Sequence, residues 1–462
     1  MVAPVTFDKP HGTRLLHAHP SATPGAATPG AVTVENSRGQ SVLMHPPERQ
    51  ESRKDHGAVE WPNFPQGTVH LVFRPMTTTN TATPRIQSTI TRAVTAMFAG
   101  TKLHAKQIES VAHAALGAMS SPSAGVSAVG RAAAAVRHKD AKHGIKQVDR
   151  LLSNRKIDDL DLVRQHVAFV VGDRSWIAVT MDWTEYGLHG QNRLAINLVT
   201  RHGRATPLIW KTIPSAQLKG QMSHQEVGLL GVLKSVLPES VKQVILLADR
   251  GFGDVDLYDH IVELGFDFVI RFRGVITVAA PDGRSAPASQ WVPLGGRVRR
   301  ILNARLTGQR HQVAAFVAVK QAGMKEPWLL ATSLSWAPTR IVSLYGRRFT
   351  CEENFRDEKD PRFGLGSRLA RVRDAARRDR LCFILALAAA LLTLLGAAGE
   401  HLGLDRRLRA NTVKRRTHSL FRQGREYLRQ LLAGAHRLAD LLRDFQRLLH
   451  RQPLARAPFG QI

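Results

Sequence analysis

Residues 381–399, "LCFILALAAALLTLLGAAG", contain no charged side chain. The surrounding chain of 462 residues carries a formal charge of +28. A run this long and apolar has two destinations. It spans a bilayer, or other elements of a sizeable fold bury it on all sides. The run is Ala-rich, follows a basic segment, "RLARVRDAARRDR", and lacks the Trp/Tyr belt of a membrane helix. A core helix is therefore the better reading, and no membrane association is expected. The hydrophobic fraction of 43% is enough for such a core, and the length allows two to four domains.

The positive charge points to a polyanionic partner, nucleic acid before an anionic membrane surface. A general arginine bias of a GC-rich genome is the competing explanation. Two cysteines, Cys351 and Cys382, exclude a disulfide framework and a thiolate zinc site. They suit a reducing cytoplasm, and no apolar h-region marks a signal peptide. Residues 1–80 are rich in Pro, Gly, Ala and Thr without a sustained period, which predicts a disordered leader. Met76 opens a more regular sequence, so residues 1–75 read as translated upstream DNA and Met76 as the natural start.

From 84 to 168 the periodicity is helical. Ile86, Ile90, Val94 and Met97 share a face, Gly100 ends the run, and a second helix starts after Thr101. Arg137, Lys139, Lys142, Lys146, Arg150, Arg155 and Lys156 give the following helices basic faces. That suits a helical DNA-binding domain, or equally an ordinary solvated bundle. "SWIAVTMD", "RLAINLVT" and "ATPLIWKTI" predict three antiparallel strands. "SHQEVGLLGVLKSVL" is a helix with Ser223 as candidate N-cap. "KQVILLAD", "DVDLYDHIVEL" and "FDFVIRF" form a βαβ unit, so the sheet is mixed. Dense turn signals mark 274–326 as a β-rich insertion, after which "PWLLATSL" returns to the main sheet. The predicted fold is α/β, with a core of 174–273 and 327–400, and a helical basic C-terminal region over 401–462.

The chemistry concentrates in "YGRRFTCEENFRDEK", residues 345–359. Taken as one helix at about 100° per residue, Arg348, Glu352 and Lys359 fall within roughly 60° of Tyr345. A face with one acid, two cations and a phenol suits a surface that holds metal and phosphate together. Asp182, in or at the end of the first strand, and Asp249, at the end of "VILLAD", sit where α/β sheets place ligands. Gly251 lets the backbone turn after Asp249. Singly, each Asp reads as a turn or cap residue. Together with Glu352, they suit Mg2+ or Mn2+, and two such ions support phosphodiester cleavage and transfer.

The pattern Tyr-x2-Arg-x3-Glu-x6-Lys at Tyr345, Arg348, Glu352 and Lys359 resembles the YREK signature of bacterial insertion-sequence DDE transposases. Asp249-Arg250-Gly251-Phe252 and Asp182-Trp183-Thr184 fit the surroundings of that family's first two acids. The resemblance implies an RNase H-like core in which Asp182, Asp249 and Glu352 bind two Mg2+, with Mn2+ able to substitute. It also implies that Tyr345, Arg348 and Lys359 hold terminal DNA phosphates. Trp291, in the insertion, is then the candidate for stacking a flipped base, against a plain role in the local core. Implied partners are transposon terminal inverted repeats, target DNA and a second protomer in a homodimer on paired ends, at the bacterial nucleoid. The expected activity is cut-and-paste transposition. The alternative is an inactive DNA-binding remnant that occupies transposon ends.

Overall fold

The computed structural model describes residues 32–35, 41–44, 82–186, 189–434 and 439–450. The chain divides into two units, residues 1–76 and 77–462. In the first, β1 (Val32–Glu35) and β2 (Ser41–Met44) pair antiparallel, Val32 opposite Met44. The β-branched residues Val32, Thr33, Val34 and Val42 favour this pairing inside a stretch whose composition reads as disorder. The rest of the predicted leader, and the proposed start at Met76, lie outside the described residues.

The second unit opens with five helices: α1 (Ala82–Met97), α2 (Ala105–Ser120), α3 (Val126–Val136), α4 (Ala141–Ser153) and α5 (Asp159–Val171). Ile86, Ile90 and Val94 form the buried stripe of α1. Its next member is Phe98 rather than Met97, and Phe98 meets Phe383 edge-on at 6.2 Å. Helix α2 starts later than Thr101 predicts. The Thr101 hydroxyl donates to Phe98 O at 2.8 Å and accepts from Leu103 N, which holds the chain in a turn.

Three antiparallel strands follow, β3 (Trp176–Tyr186), β4 (Gln191–Leu198) and β5 (Thr206–Pro214). Helix α6 (Met222–Val236) has Gln221, not Ser223, as its N-cap, because the helix begins one residue before the serine. Strand β6 (Gln243–Ala248), helix α7 (Val255–Glu263) and β7 (Asp267–Arg271) are the βαβ unit. The insertion holds β8 (Thr277–Ala279), β9 (Ser285–Pro287), β10 (Val298–Leu302), β11 (Arg305–Leu306), β12 (His311–Gln312) and β13 (Ala315–Val319). The next strand is β14 (Trp328–Thr332). "RVRRILNARL" is two strands rather than one, because Asn303 at φ 50° turns the chain between them.

The main sheet has the order β10-β13-β14-β7-β6-β3-β4-β5, and β12-β11-β8-β9 form a smaller one. Part of the insertion thus extends the main sheet, and the buried run Ala315–Val319 explains why. This is the RNase H-like architecture expected, a mixed sheet flanked by helices. One face packs Leu230, Leu233, Tyr258 and Ile261 of α6 and α7. The other packs Ile341, Leu344 and Tyr345 of α8 (Pro338–Gly346). After α8 come α9 (Thr350–Lys359), α10 (Ala375–His401), α11 (Leu420–Leu432) and α12 (Ala439–His450).

Helix α10 contains the charge-free run. It is long and apolar enough to cross a bilayer, and 89% of its most apolar stretch is buried within the protein. Helices α2, α11 and α12 and strand β5 surround it. The approach to α11 is backbone to backbone: a Cβ on Gly396 would collide with Leu420 O, and one on Gly424 with Leu392 O. Residues of α1, α2, α10, α11 and α12 share one apolar cluster, so the N-terminal and C-terminal helices are joined through it. The expected helical region after 404 contains an irregular stretch. Residues 409–418 are irregular, with Arg416 bound to Glu400 at 3.1 Å and to His202 O.

Candidate active site

Two acids meet through strand register. Thr180 faces Leu247 in the parallel β3–β6 pair, so two positions on Asp182 lies beside Asp249. Ala248 faces Ile270 in the β6–β7 pair, which sets Arg271 next to Asp249 on its other side. Asp249 ends its strand, and its carboxylate accepts from Gly251 N at 2.8 Å. A Cβ on Gly251 would come within 3.1 Å of Asp249 Oδ1, so glycine keeps that carboxylate unobstructed.

The third acid arrives from the helical side. The segment 345–359 is not one helix: α8 ends at Gly346, Arg347–Phe349 form a 3-10 turn, and α9 starts at Thr350. The four motif residues therefore do not line one continuous face. Tyr345 is buried against Trp328, ring to ring at 5.1 Å, and burial pushes its phenol up to about 12. Arg348 is buried too and bridges two acids. Its Nη2 donates to Glu352 Oε1 at 2.8 Å, and its Nη1 reaches Asp182 Oδ2 at 3.4 Å. Glu352 is half exposed.

The charges are tightly linked. Burial raises the Asp182 carboxyl, Arg348 opposes this, and Asp249 and Glu352 raise it further. Cys351 is fully buried, and its Sγ donates to Asp182 Oδ2 at 3.5 Å. Burial, then the Asp182 charge, pushes that thiol up to about 12, so it serves as a neutral donor. Lys359 Nζ donates to Thr184 Oγ1 and, at 3.0 Å, to Glu185 O, which places the ammonium on β3 just past Asp182.

Trp291 does not join this group as a stacking platform. It is 5% exposed, packs in the apolar cluster on the α6–α7 face of the sheet, and donates its indole N–H to Ala286 O at 3.2 Å. Its large apolar ring is used in the insertion's own core. Three participants escaped the sequence reading. Arg271 and Arg250 both grip Glu326 Oε2, at 2.6 and 3.0 Å, beside Asp249. Cys351 holds Asp182. The arginine in "FVIRF" was visible, but only strand register shows that it ends level with Asp249.

Among the described residues no three Asp, Glu, His or Cys side chains stand close enough together to share a metal ion. The donor chemistry nevertheless suits a hard divalent cation. The Asp182 carboxyl feels both other acids, and the guanidinium of Arg348 occupies the space between Asp182 and Glu352 as a counterion. A cation replacing that guanidinium would balance the same charges.

The helical N-terminal segment offers a second basic surface. A cleft of about 290 Å³ between α2 and α4 is lined by Lys106, His143, Lys146 and Arg150. Lys139, Lys142, Arg155 and Lys156 are exposed, while Arg137 is partly buried against His113.

Comparison with known families finds that residues 213–391 match the model described as "Transposase DDE domain". The match includes Asp249, Tyr345, Arg348, Glu352 and Lys359 and begins after Asp182. The matched stretch covers less than half of the chain and marks a likeness to that domain. No curated protein matches the chain.

Proposed function

We propose that this chain is a DNA transposase of the YREK pattern that cuts at transposon ends and joins them to target DNA. The observation that supports this best is that strand register sets Asp182 beside Asp249 while Arg348 links Asp182 to Glu352, within a chain that matches a transposase DDE domain. In this reading Asp182, Asp249 and Glu352 hold two Mg2+, or Mn2+ in their place. Bound there, such ions polarise the phosphodiester and activate the attacking oxygen. Glu352 turns inward when Arg348 releases it, and Arg348 then offers its fork to a DNA phosphate, the geometry guanidinium favours. Lys359 supplies a point charge to the same strand. Tyr345 acts from below, as the buried post on which the Arg348 turn rests. Water attack frees a 3′-hydroxyl at each terminal inverted repeat, and that hydroxyl attacks target DNA. A homodimer on paired ends, working on the bacterial nucleoid, completes the scheme.

The second reading is a binding-only remnant that occupies transposon ends. A supercoiled plasmid carrying the gene with its natural flanks separates the two. The proposal expects Mg2+-dependent nicking at the flanks, lost in Asp249→Ala by at least ~100-fold while DNA binding is retained. Native protein that binds the flanks but never nicks them, in Mg2+ or Mn2+, would favour the remnant.

A further inference from the structure

Lys359 reaches β3 from the last turn of α9, and what holds it there is its neighbour. Glu358 is buried and accepts three hydrogen bonds: Arg193 Nη1 at 2.8 Å, Arg193 Nη2 at 2.7 Å and Tyr186 Oη at 2.7 Å. Arg193 lies opposite Thr184 in the β3–β4 register, and Thr184 is the residue that receives the Lys359 ammonium. Two cations therefore sit side by side on one patch of sheet. Burial works against protonated Lys359, the Arg193 charge adds to this, and the Glu358 charge works for it. The Tyr186 ring lies against both cations and a third, 5.4 Å from Arg193 Cζ, 5.3 Å from Lys359 Nζ and 4.5 Å from Arg378 Cζ. Arg193 and Glu358 are 3% and 8% exposed at the side chain. At that depth a carboxylate and guanidinium persist only as a pair, here joined through both Arg193 Nη atoms while its Nε finds no partner among the described residues.

We propose that Glu358, with Arg193 and Tyr186, is a buried clamp that positions Lys359 in the DNA groove beside Asp182. It does so in two ways. It pins the C-terminal turn of α9 to β4, and it cancels the charge that would drive the ammonium off Thr184. Glu358 touches no reacting atom and is a positioning residue. The inference rests on the proposed function, since it gives Lys359 a phosphate to hold.

The test is a double-mutant cycle in the full-length chain. The probe is duplex DNA from the natural flanks, with binding measured over a salt series without divalent ion and nicking measured in Mg2+. Lys359→Ala is expected to weaken binding roughly tenfold, the value of one charge-assisted hydrogen bond. It should also lower the slope of log affinity on log salt by about 0.9. Glu358→Gln should reproduce both changes, and the double variant should be no worse than either. Tyr186→Phe removes one donor and leaves the ion pair. It should give a smaller loss that disappears in the Lys359→Ala background, and it carries the cycle if Glu358→Gln does not fold. Should Lys359→Ala cost the same factor with and without the clamp, Glu358 is merely structural and the inference is overturned. In that event, nicking that still depends on Asp249 leaves the transposase reading standing. A native chain that neither binds nor nicks the flanks removes both.

Discussion

At the scale of single residues, Arg348 gives the site its resting state. Asp182, Asp249 and Glu352 raise one another's cost of ionising, and the Arg348 guanidinium bridges Asp182 and Glu352 and offsets part of their charge. Glu326 plays the complementary part at the other edge. Its single oxygen engages Arg250 and Arg271, two cations beside Asp249, much as a phosphate oxygen would. Hydrogen bonding to Arg271 and then the Arg250 charge hold its carboxyl below the usual range, so it stays ionised at neutral pH. Glu326→Gln is therefore expected to tighten duplex binding several-fold and steepen its salt dependence. Equilibrium binding in the native and Arg271→Ala backgrounds checks the cause. If the gain survives loss of Arg271, it reflects general charge rather than a vacated phosphate seat.

At the scale of elements, what was legible depended on locality. The strand-end position of Asp249 and its glycine partner can be read from a few consecutive residues, because an apolar run must end where its turn begins. The break at 347–349 could not, since every residue there tolerates a helix. Packing of Tyr345 and Phe349 around Trp328 sets the turn instead. Trp291 stayed open between stacking and core for a related reason: sequence shows that a large ring is in the insertion, not whether the insertion needs it as core, which is where it packs. Arg271 was hidden because register joins positions that are distant in sequence. The β5–α10 contact supplies a pH prediction. Burial pushes the Asp379 carboxyl up to about 7, although it accepts from Thr212 N at 2.9 Å. The folded state thus keeps a proton that the unfolded state has lost. Stability contributed by this group is complete below about pH 4 and declines as pH rises to about 7. Asp379→Asn should remove that part of the decline. Thermal melting across this range is the measurement, and melting curves that stay parallel to the native ones would refute the assignment.

At the scale of the whole molecule, the N-terminal and C-terminal helices are two halves of one core around α10. Sequence periodicity divides them into separate regions, because each reads as amphipathic and neither reveals its partner. A chain ending at 418 would lack α11 and α12, leaving Leu392, Gly396 and Gly399 of α10 without the backbone of α11 and the Tyr427 ring that pack on them. Such a truncation is expected to shift from the soluble fraction to the pellet, and to remain there after a high-salt wash, as judged by fractionation. Recovery in soluble form with a native melting temperature would show that α10 needs no cover from that side.

The encasement of α10 also has a temporal side. Translation delivers this helix after the sheet but before α11 and α12, so for an interval the ribosome presents a stretch that meets the length and polarity of a membrane anchor. Only segments already synthesised, among them α2 and β5, are then available to receive it. The order in which the gene encodes its parts thus lets α2 and β5 cover part of this helix before its remaining cover exists.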